Sequence, residues 1–230
     1  MKVAVVVFPV STGDEDTLRA YASIVGSNNV GYVWHQETSL EGYDAVALPG
    51  GFSYGDHLRA GAIAAKSPIM QAVRVAAEKG YPVLGICNGF QILVEAGLLP
   101  GAFRHNDDLR FHCKSVHLRV ENKDNPFTRE FRPGEVMELP IAHGEGNFYV
   151  SDEEEKRLTA TGQIVLRYSQ ADGTVSKQAN PNGSVGNIAG ILNEKGNVLG
   201  MMPHPERNAS PLLGNGDGLR LLQSMVGVTR

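Results

Sequence analysis

The chain has 230 residues, of which 42% are hydrophobic and 20% charged, with a net charge of −4. That length holds one large α/β domain or two small ones around a substantial core. The mild negative charge supplies neither a basic footprint for nucleic acid nor a polybasic patch for a membrane surface, so small-molecule chemistry or a protein partner is expected.

Only two cysteines are present, Cys87 and Cys113. So few argue against a disulfide framework and for a reducing compartment. No apolar stretch approaches the roughly 20 residues that cross a bilayer. Met1 to Val10 is too short for a signal peptide, lacks a small-residue cleavage site and runs into Asp14-Glu15-Asp16. It reads as a first buried strand, and a cytoplasmic location is the expectation.

Taken in order, Val3 to Phe8 is a β-branched run of the kind buried on both faces of a sheet. Asp14 to Val25 places Leu18, Tyr21, Ala22 and Val25 at helical spacing behind an acidic first turn. Val30 to His35 and Tyr43 to Leu48 are further strands, the latter ending at Pro49-Gly50-Gly51. Ser67-Pro68 opens a helix with the apolar stripe Ile69, Val73, Ala76 and Ala77, closed by Gly80. Tyr81 to Ile86 is a fourth strand, followed by a helix from near Asn88 to about Ala96.

From Phe103 to Val150 the pattern changes to alternation, as at Val116, Leu118 and Val120. That predicts an antiparallel insertion or extension. Asp152-Glu153-Glu154-Glu155 reads as a solvated helix start. Ile188 to Leu192 and Asn197 to Met201 flank Asn193-Glu194-Lys195-Gly196, a hairpin signal, and a last helix is expected from Asp217 to Met225. Alternating strands and helices predict an α/β fold, a mostly parallel sheet with helices on both faces. No repeat or linker is visible, so residues 1–230 are expected to form a single domain.

Ligands of such sheets collect beyond the carboxyl ends of strands. There the sequence places Gly85-Ile86-Cys87-Asn88-Gly89, a strand, sharp turn and helix with a thiol at the apex. Glycines two residues either side let the backbone turn steeply, and the helix's first N–H groups stand beside the sulfur. A thiol nucleophile needs a base held by a third group. Met202-Pro203-His204-Pro205-Glu206 follows another strand, and its prolines bias the segment toward extended geometry, in which His204 and Glu206 face one side. Cys87, His204 and Glu206 are thus the candidate catalytic triad. Gly51 and Asn88 are the candidate oxyanion N–H donors. Gln91, one helical turn after Cys87, is a candidate substrate-orienting amide.

These motifs resemble the class I glutamine amidotransferases, whose flavodoxin-like fold is then expected. The finer stretches resemble the glutaminase subunits of phosphoribosylformylglycinamidine synthase. They are Pro49-Gly50-Gly51-Phe52-Ser53-Tyr54-Gly55-Asp56, Leu58-Arg59-Ala60-Gly61-Ala62, Pro140-Ile141-Ala142-His143-Gly144-Glu145-Gly146, Asn180-Pro181-Asn182-Gly183-Ser184 and Met202 to Arg207. One departure stands after the first strand. The family usually has Phe-Pro-Gly-Ser-Asn-Cys-Asp, where this chain has Phe8-Pro9-Val10-Ser11-Thr12-Gly13-Asp14.

The resemblance implies glutamine hydrolysis through a cysteinyl thioester, with ammonia passed to a second site. No Gly-x-x-x-x-Gly-Lys loop is present, so no cofactor is expected in this chain, and ATP and Mg are assigned to a large synthetase partner. A third small subunit commonly completes such complexes. His143, in a glycine-rich loop, has three open roles: substrate contact, loop structure or partner contact. Cys113 has histidine neighbours but no zinc-type ligand spacing, so packing is expected and no metal. The rival function is a stand-alone cysteine hydrolase, a peptidase or γ-glutamyl hydrolase on a related fold. A non-catalytic subunit is disfavoured by the intact thiol, imidazole and carboxylate.

Overall fold

The computed structural model describes residues 1–228 apart from 211 and 213. In chain order the first half comprises β1 (Val3–Val7), α1 (Asp14–Val25), β2 (Val30–Trp34), β3 (Ala45–Leu48), α2 (Ile69–Glu78), β4 (Val83–Ile86) and α3 (Asn88–Glu95). The second comprises β5 (Ala102–Arg104), β6 (His112–Val120), β7 (Val136–His143), β8 (Asn147–Tyr149) and α4 (Asp152–Ala160). It ends with β9 (Ile164–Ser169), β10 (Ile188–Leu192), β11 (Val198–Met201) and α5 (Asp217–Val226).

One sheet of nine strands, ordered β2-β1-β3-β4-β11-β10-β9-β6-β7, carries the fold. From β2 to β11 every pairing is parallel, and from β11 to β7 every pairing is antiparallel. In the parallel part β3 and β4 are buried at every position, which is why both read as continuous apolar runs. From β1 the chain steps to one side to reach β2, and from β3 through β4 to β11 it steps to the other. Right-handed crossovers therefore put α1 on one face and α2 with α3 on the opposite face. α5 packs against α1.

The alternation in β6 and β7 is that of strands with one covered face: Val116, Leu118 and Val120 are buried between half-buried neighbours. The antiparallel part extends beyond the 103–150 stretch that alternates in sequence. β9 and β10 belong to it, and β10 reaches β11 through the expected 193–196 hairpin, with Leu192 opposite Leu199. The small β5–β8 ribbon packs on α3 through Phe90, whose ring lies 4.9 Å from that of Phe103 and 5.4 Å from that of Phe148.

Three local expectations shift. On α1 Tyr21 is buried as expected, while Leu18, Ala22 and Val25 are half-buried and Thr17 and Ala20 are buried instead, Thr17 donating to the Gly13 carbonyl. Ser67 precedes the helix as expected, yet its hydroxyl meets the Tyr54 hydroxyl at 3.2 Å instead of capping. Cys113, expected to pack, is exposed. β6 pairs with β9 only from His117 onward, so residues 112–115 project past the core with β7 alone beside them.

The departure after β1 has a backbone consequence. Val10 adopts φ 66° where the family pattern has glycine. A β-branched residue in that region costs about 1–2 kcal/mol, partly offset because glycine loses more chain entropy on folding. Val10→Gly is expected to raise the unfolding free energy by roughly 0.5–1 kcal/mol, read from denaturant midpoints at unchanged slope. A lower midpoint would show that the loop is unstrained.

Candidate active site

Three neighbouring parallel strands deliver the site. β3 ends in Pro49-Gly50-Gly51, β4 in Cys87 and β11 in the segment leading to His204. Cys87 has φ 50° and ψ −105°, a conformation L-residues avoid. It is pinned there from both sides: its N–H donates to the Met201 carbonyl at 2.8 Å, and its carbonyl accepts from the N–H groups of Phe90 and Gln91. α3 can lie this close because Gly89 faces β3. A Cβ there would sit 2.0 Å from the Leu48 carbonyl oxygen.

His204 is extended, as its flanking prolines predict, and its N–H donates to the Pro140 carbonyl of β7. Glu206 falls in a short 3-10 turn, not in continued extension, yet its Oε1 lies 2.6 Å from His204 Nδ1. Both side chains are buried. Gly50 separates the histidine from the thiol: a Cβ on it would lie 2.7 Å from His204 Cε1 and 3.5 Å from Cys87 Cβ. The imidazole and the sulfur therefore flank one glycine. Among the described residues His204 Nε2 has no hydrogen-bond partner.

Burial alone would drive the His204 imidazolium out, but the Glu206 carboxylate and the Cys87 sulfur outweigh it and push the group up to about 10. A protonated imidazole stabilises negative charge that develops on a neighbouring atom. Cys87 Sγ also lies 3.8 Å from the Ala142 carbonyl oxygen.

Gly51 is forced to be glycine, since a Cβ would come within 2.8 Å of Val10 O, Ser11 Cα and Thr12 N. The loop after β1 braces it: Thr12 and Gly13 donate to the Gly50 carbonyl and Phe52 donates to the Val10 carbonyl. Gly13, at the variant position, faces Glu206 Oε1 across 3.4 Å measured from an added Cβ. The N–H groups of Gly51 and Asn88 donate to no carbonyl or side chain among the described residues. Two free donors beside a sulfur are what a tetrahedral oxyanion requires.

A cavity of about 380 Å³ opens on this arrangement, lined by Gly51, Cys87, Gln91, His143, Asp56 and Glu145 among others. Larger grooves near Tyr43 and near Leu99 contain no cysteine. Gln91 lines the cavity, but both ends of its amide are engaged: Oε1 accepts from Asn88 at 2.9 Å and Nε2 donates to the Glu145 carbonyl at 2.7 Å. It ties α3 to the loop after β7.

His143 is buried, its Nδ1 3.2 Å from Asn106 Oδ1 and its Nε2 3.4 Å from Asn182 Nδ2. Burial, then the positive charge of His204, hold it down at about 4, so it is neutral at physiological pH. Asn106, Asn182 and Asp56 carry no role in the sequence reading. The turn-forming pair Gly55-Asp56 beside Pro49-Gly50-Gly51 was the available signal for the last.

Glu206→Gln keeps the bond to Nδ1 but removes its charge, so burial should then pull His204 down and withdraw the cation from beside the sulfur. Alkylation of Cys87 by iodoacetamide at neutral pH is expected to slow about tenfold or more. An unchanged alkylation rate, with Cys113 as internal reference, would sink that electrostatic account.

Residues 1–215 match the CobB/CobQ-like glutamine amidotransferase domain. The chain is 58% identical over 226 residues to phosphoribosylformylglycinamidine synthase subunit PurQ of Moorella thermoacetica, covering 98% of this chain and 95% of that one. A chain in the structure of PurLQS from Thermotoga maritima superposes with TM-score 0.85 at 43% identity, over 98% of this chain and 97% of that one. The glutaminase domain of Trypanosoma brucei CTPS, with bound acivicin, shares the fold at TM-score 0.62 and 14% identity, covering 100% and 95%. A match that runs from the first strand through the segment carrying His204 and Glu206 leaves one assignment: this chain belongs to the CobB/CobQ-like glutamine amidotransferase family.

Proposed function

We propose that this chain is the glutaminase subunit of phosphoribosylformylglycinamidine synthase, acting as one domain over residues 1–230. The observation that carries the chemistry is the thiol at a strained turn with a buried His204–Glu206 pair beside it. The 58% identity to a subunit of that name over nearly the whole of both chains carries the choice of reaction.

Cys87 Sγ attacks the carboxamide carbon of glutamine. The carbonyl electrons move onto oxygen, which accepts from the Gly51 and Asn88 N–H groups, donors worth about 10²–10³ each in rate. His204, held cationic by Glu206, gives its proton to the departing nitrogen, and ammonia leaves with a γ-glutamyl thioester on Cys87. His204 then takes a proton from water, hydroxide adds to the thioester, and the collapse returns the sulfur and releases glutamate. Gln91 and His143 act through the cavity wall: one fixes the loop after β7, and the other is the neutral centre of the Asn106–Asn182 network beneath it.

Ammonia is used by a large synthetase subunit, which binds ATP and Mg and amidates formylglycinamide ribonucleotide, with a third small subunit completing the assembly. The structure of PurLQS, in which a similar chain occurs, supports the association. A cytoplasmic location fits a biosynthetic enzyme, and among the described residues no helix is long and apolar enough to cross a membrane. The stand-alone hydrolase is not favoured, because the family-wide identity extends far beyond the triad.

With the reconstituted complex, Cys87→Ala should abolish glutamine-dependent amidation, a fall of at least about 10³-fold, while ammonia-dependent amidation continues at the wild-type rate. Loss of both activities in an assembled, folded complex would overturn the division of labour.

A further inference from the structure

The loop after β3 carries a run of backbone strain that the triad does not explain. Tyr54, Asp56 and Leu58 take positive φ, at 54°, 51° and 72°, a region that residues other than glycine enter rarely. Such strain persists only where the surroundings over-determine it. Here four successive N–H groups are committed. Phe52 donates to the Val10 carbonyl, Ser53 to Asn88 Oδ1, Tyr54 to the Pro9 carbonyl and Gly55 to the Phe52 carbonyl. The N–H just before them, that of Gly51, donates to nothing among the described residues and is left for the cavity that Gly51 lines.

The direction of that donor is set from two sides. The Gly50 carbonyl shares a rigid trans peptide plane with the Gly51 N–H and points the opposite way, and it accepts from Thr12 and Gly13. On the other side stands the loop itself, anchored by a side chain outside the cavity. Gly51, Phe52 and Asp56 line the cavity, whereas Tyr54 reaches to the end of β2. Its hydroxyl lies 2.8 Å from His35 Nδ1 and 3.2 Å from Ser67 Oγ, and its ring meets the His35 ring edge-on at 5.5 Å. His35 is held in turn. Its N–H donates to the Val7 carbonyl, its carbonyl accepts from Ile69, and its ring lies 4.4 Å from that of Trp34. Burial holds the imidazole below its ordinary range, so it is neutral and keeps an acceptor nitrogen. One oxygen thus ties the strained loop to β2 and to the turn before α2.

Resting on the glutaminase function and the Gly51 donor proposed above, we propose that Tyr54 is a positioning residue for the oxyanion. Its hydroxyl, held by His35 and Ser67, fixes the loop after β3 so that the Gly51 N–H faces the tetrahedral oxygen. An oxyanion donor acts chiefly in the transition state, where charge on that oxygen is greatest. A loosened donor therefore costs turnover and leaves ground-state binding of glutamine intact.

The test is Tyr54→Phe, which removes that one oxygen and keeps the ring. In the reconstituted complex kcat for glutamate release is expected to fall about tenfold. KM for glutamine should stay within about twofold of wild type, and ammonia-dependent amidation should not change. Labelling of Cys87 in the full chain gives a second readout. A chloromethyl ketone built on L-glutamine's skeleton reacts through a tetrahedral alkoxide, whereas iodoacetamide loses iodide without forming one. The variant should slow the ketone about tenfold and leave the iodoacetamide rate alone. Ser67→Ala should act in the same direction by less. Added to Tyr54→Phe it should cost little more, because both variants break one network.

A raised KM at unchanged kcat would overturn the assignment. So would equal slowing with both reagents, which marks a general loosening around Cys87, or no slowing with either. If the wild-type complex releases no glutamate from glutamine, the glutaminase function itself falls, and this inference with it.

Discussion

The whole site depends on one backbone torsion, the positive φ of Cys87 between β4 and α3. Such a conformation costs on the order of 1–3 kcal/mol and persists only where its surroundings over-determine it. Here the surroundings are main chain. The Cys87 N–H is committed to β11 and its carbonyl to the first turn of α3. Gly85 and Gly89 bring the helix so near that a Cβ on either would meet backbone atoms of Gly89 or Leu48 within 2.7 Å. The thiol's position is therefore set by hydrogen bonds and close backbone contact, and does not rely on the rotamer of any long side chain.

Around this fixed point the electrostatics divide the cavity. On one side lies a buried imidazolium between a carboxylate and a sulfur, a pairing that outweighs its own desolvation. On another lies His143, equally buried but flanked by neutral amides and left uncharged. Two histidines with nearly the same exposure end in opposite protonation states because one has a carboxylate at 2.6 Å and the other has none. A second cation in so small a volume would repel the first, so the neutrality of His143 preserves the charge of His204.

Much of this was legible along the chain, for identifiable reasons. Strands buried on both faces announce themselves as runs such as Ala45 to Leu48, and the hairpin at 193–196 is spelled by its turn residues. The Cys87 elbow and the His204–Glu206 pair were readable because prolines and glycines restrict local geometry within five residues. Long-range features were not. That β9 and β10 continue the antiparallel part is a matter of pairing partners, and Ile164 to Leu166 alone fits a strand or a buried helix segment. Gln91 was expected to offer its amide to substrate. One of its two bonds is local, to Asn88, but the other, to the carbonyl of Glu145, reaches a loop more than fifty positions away. The exposure of Cys113 likewise depends on where β9 stops, which nothing near residue 113 encodes.

Strand β11 has parallel β4 on one side and antiparallel β10 on the other, so it is the seam between two architectures. Cys87 stands on the parallel side, while the carbonyls that meet its sulfur and the His204 N–H, those of Ala142 and Pro140, come from β7 on the antiparallel side. The chemistry thus straddles a boundary between two slabs of sheet. A rigid tilt of the antiparallel slab against the parallel one would therefore strain the His204–Pro140 bond and the Cys87–Ala142 contact while leaving each slab's own ladder intact.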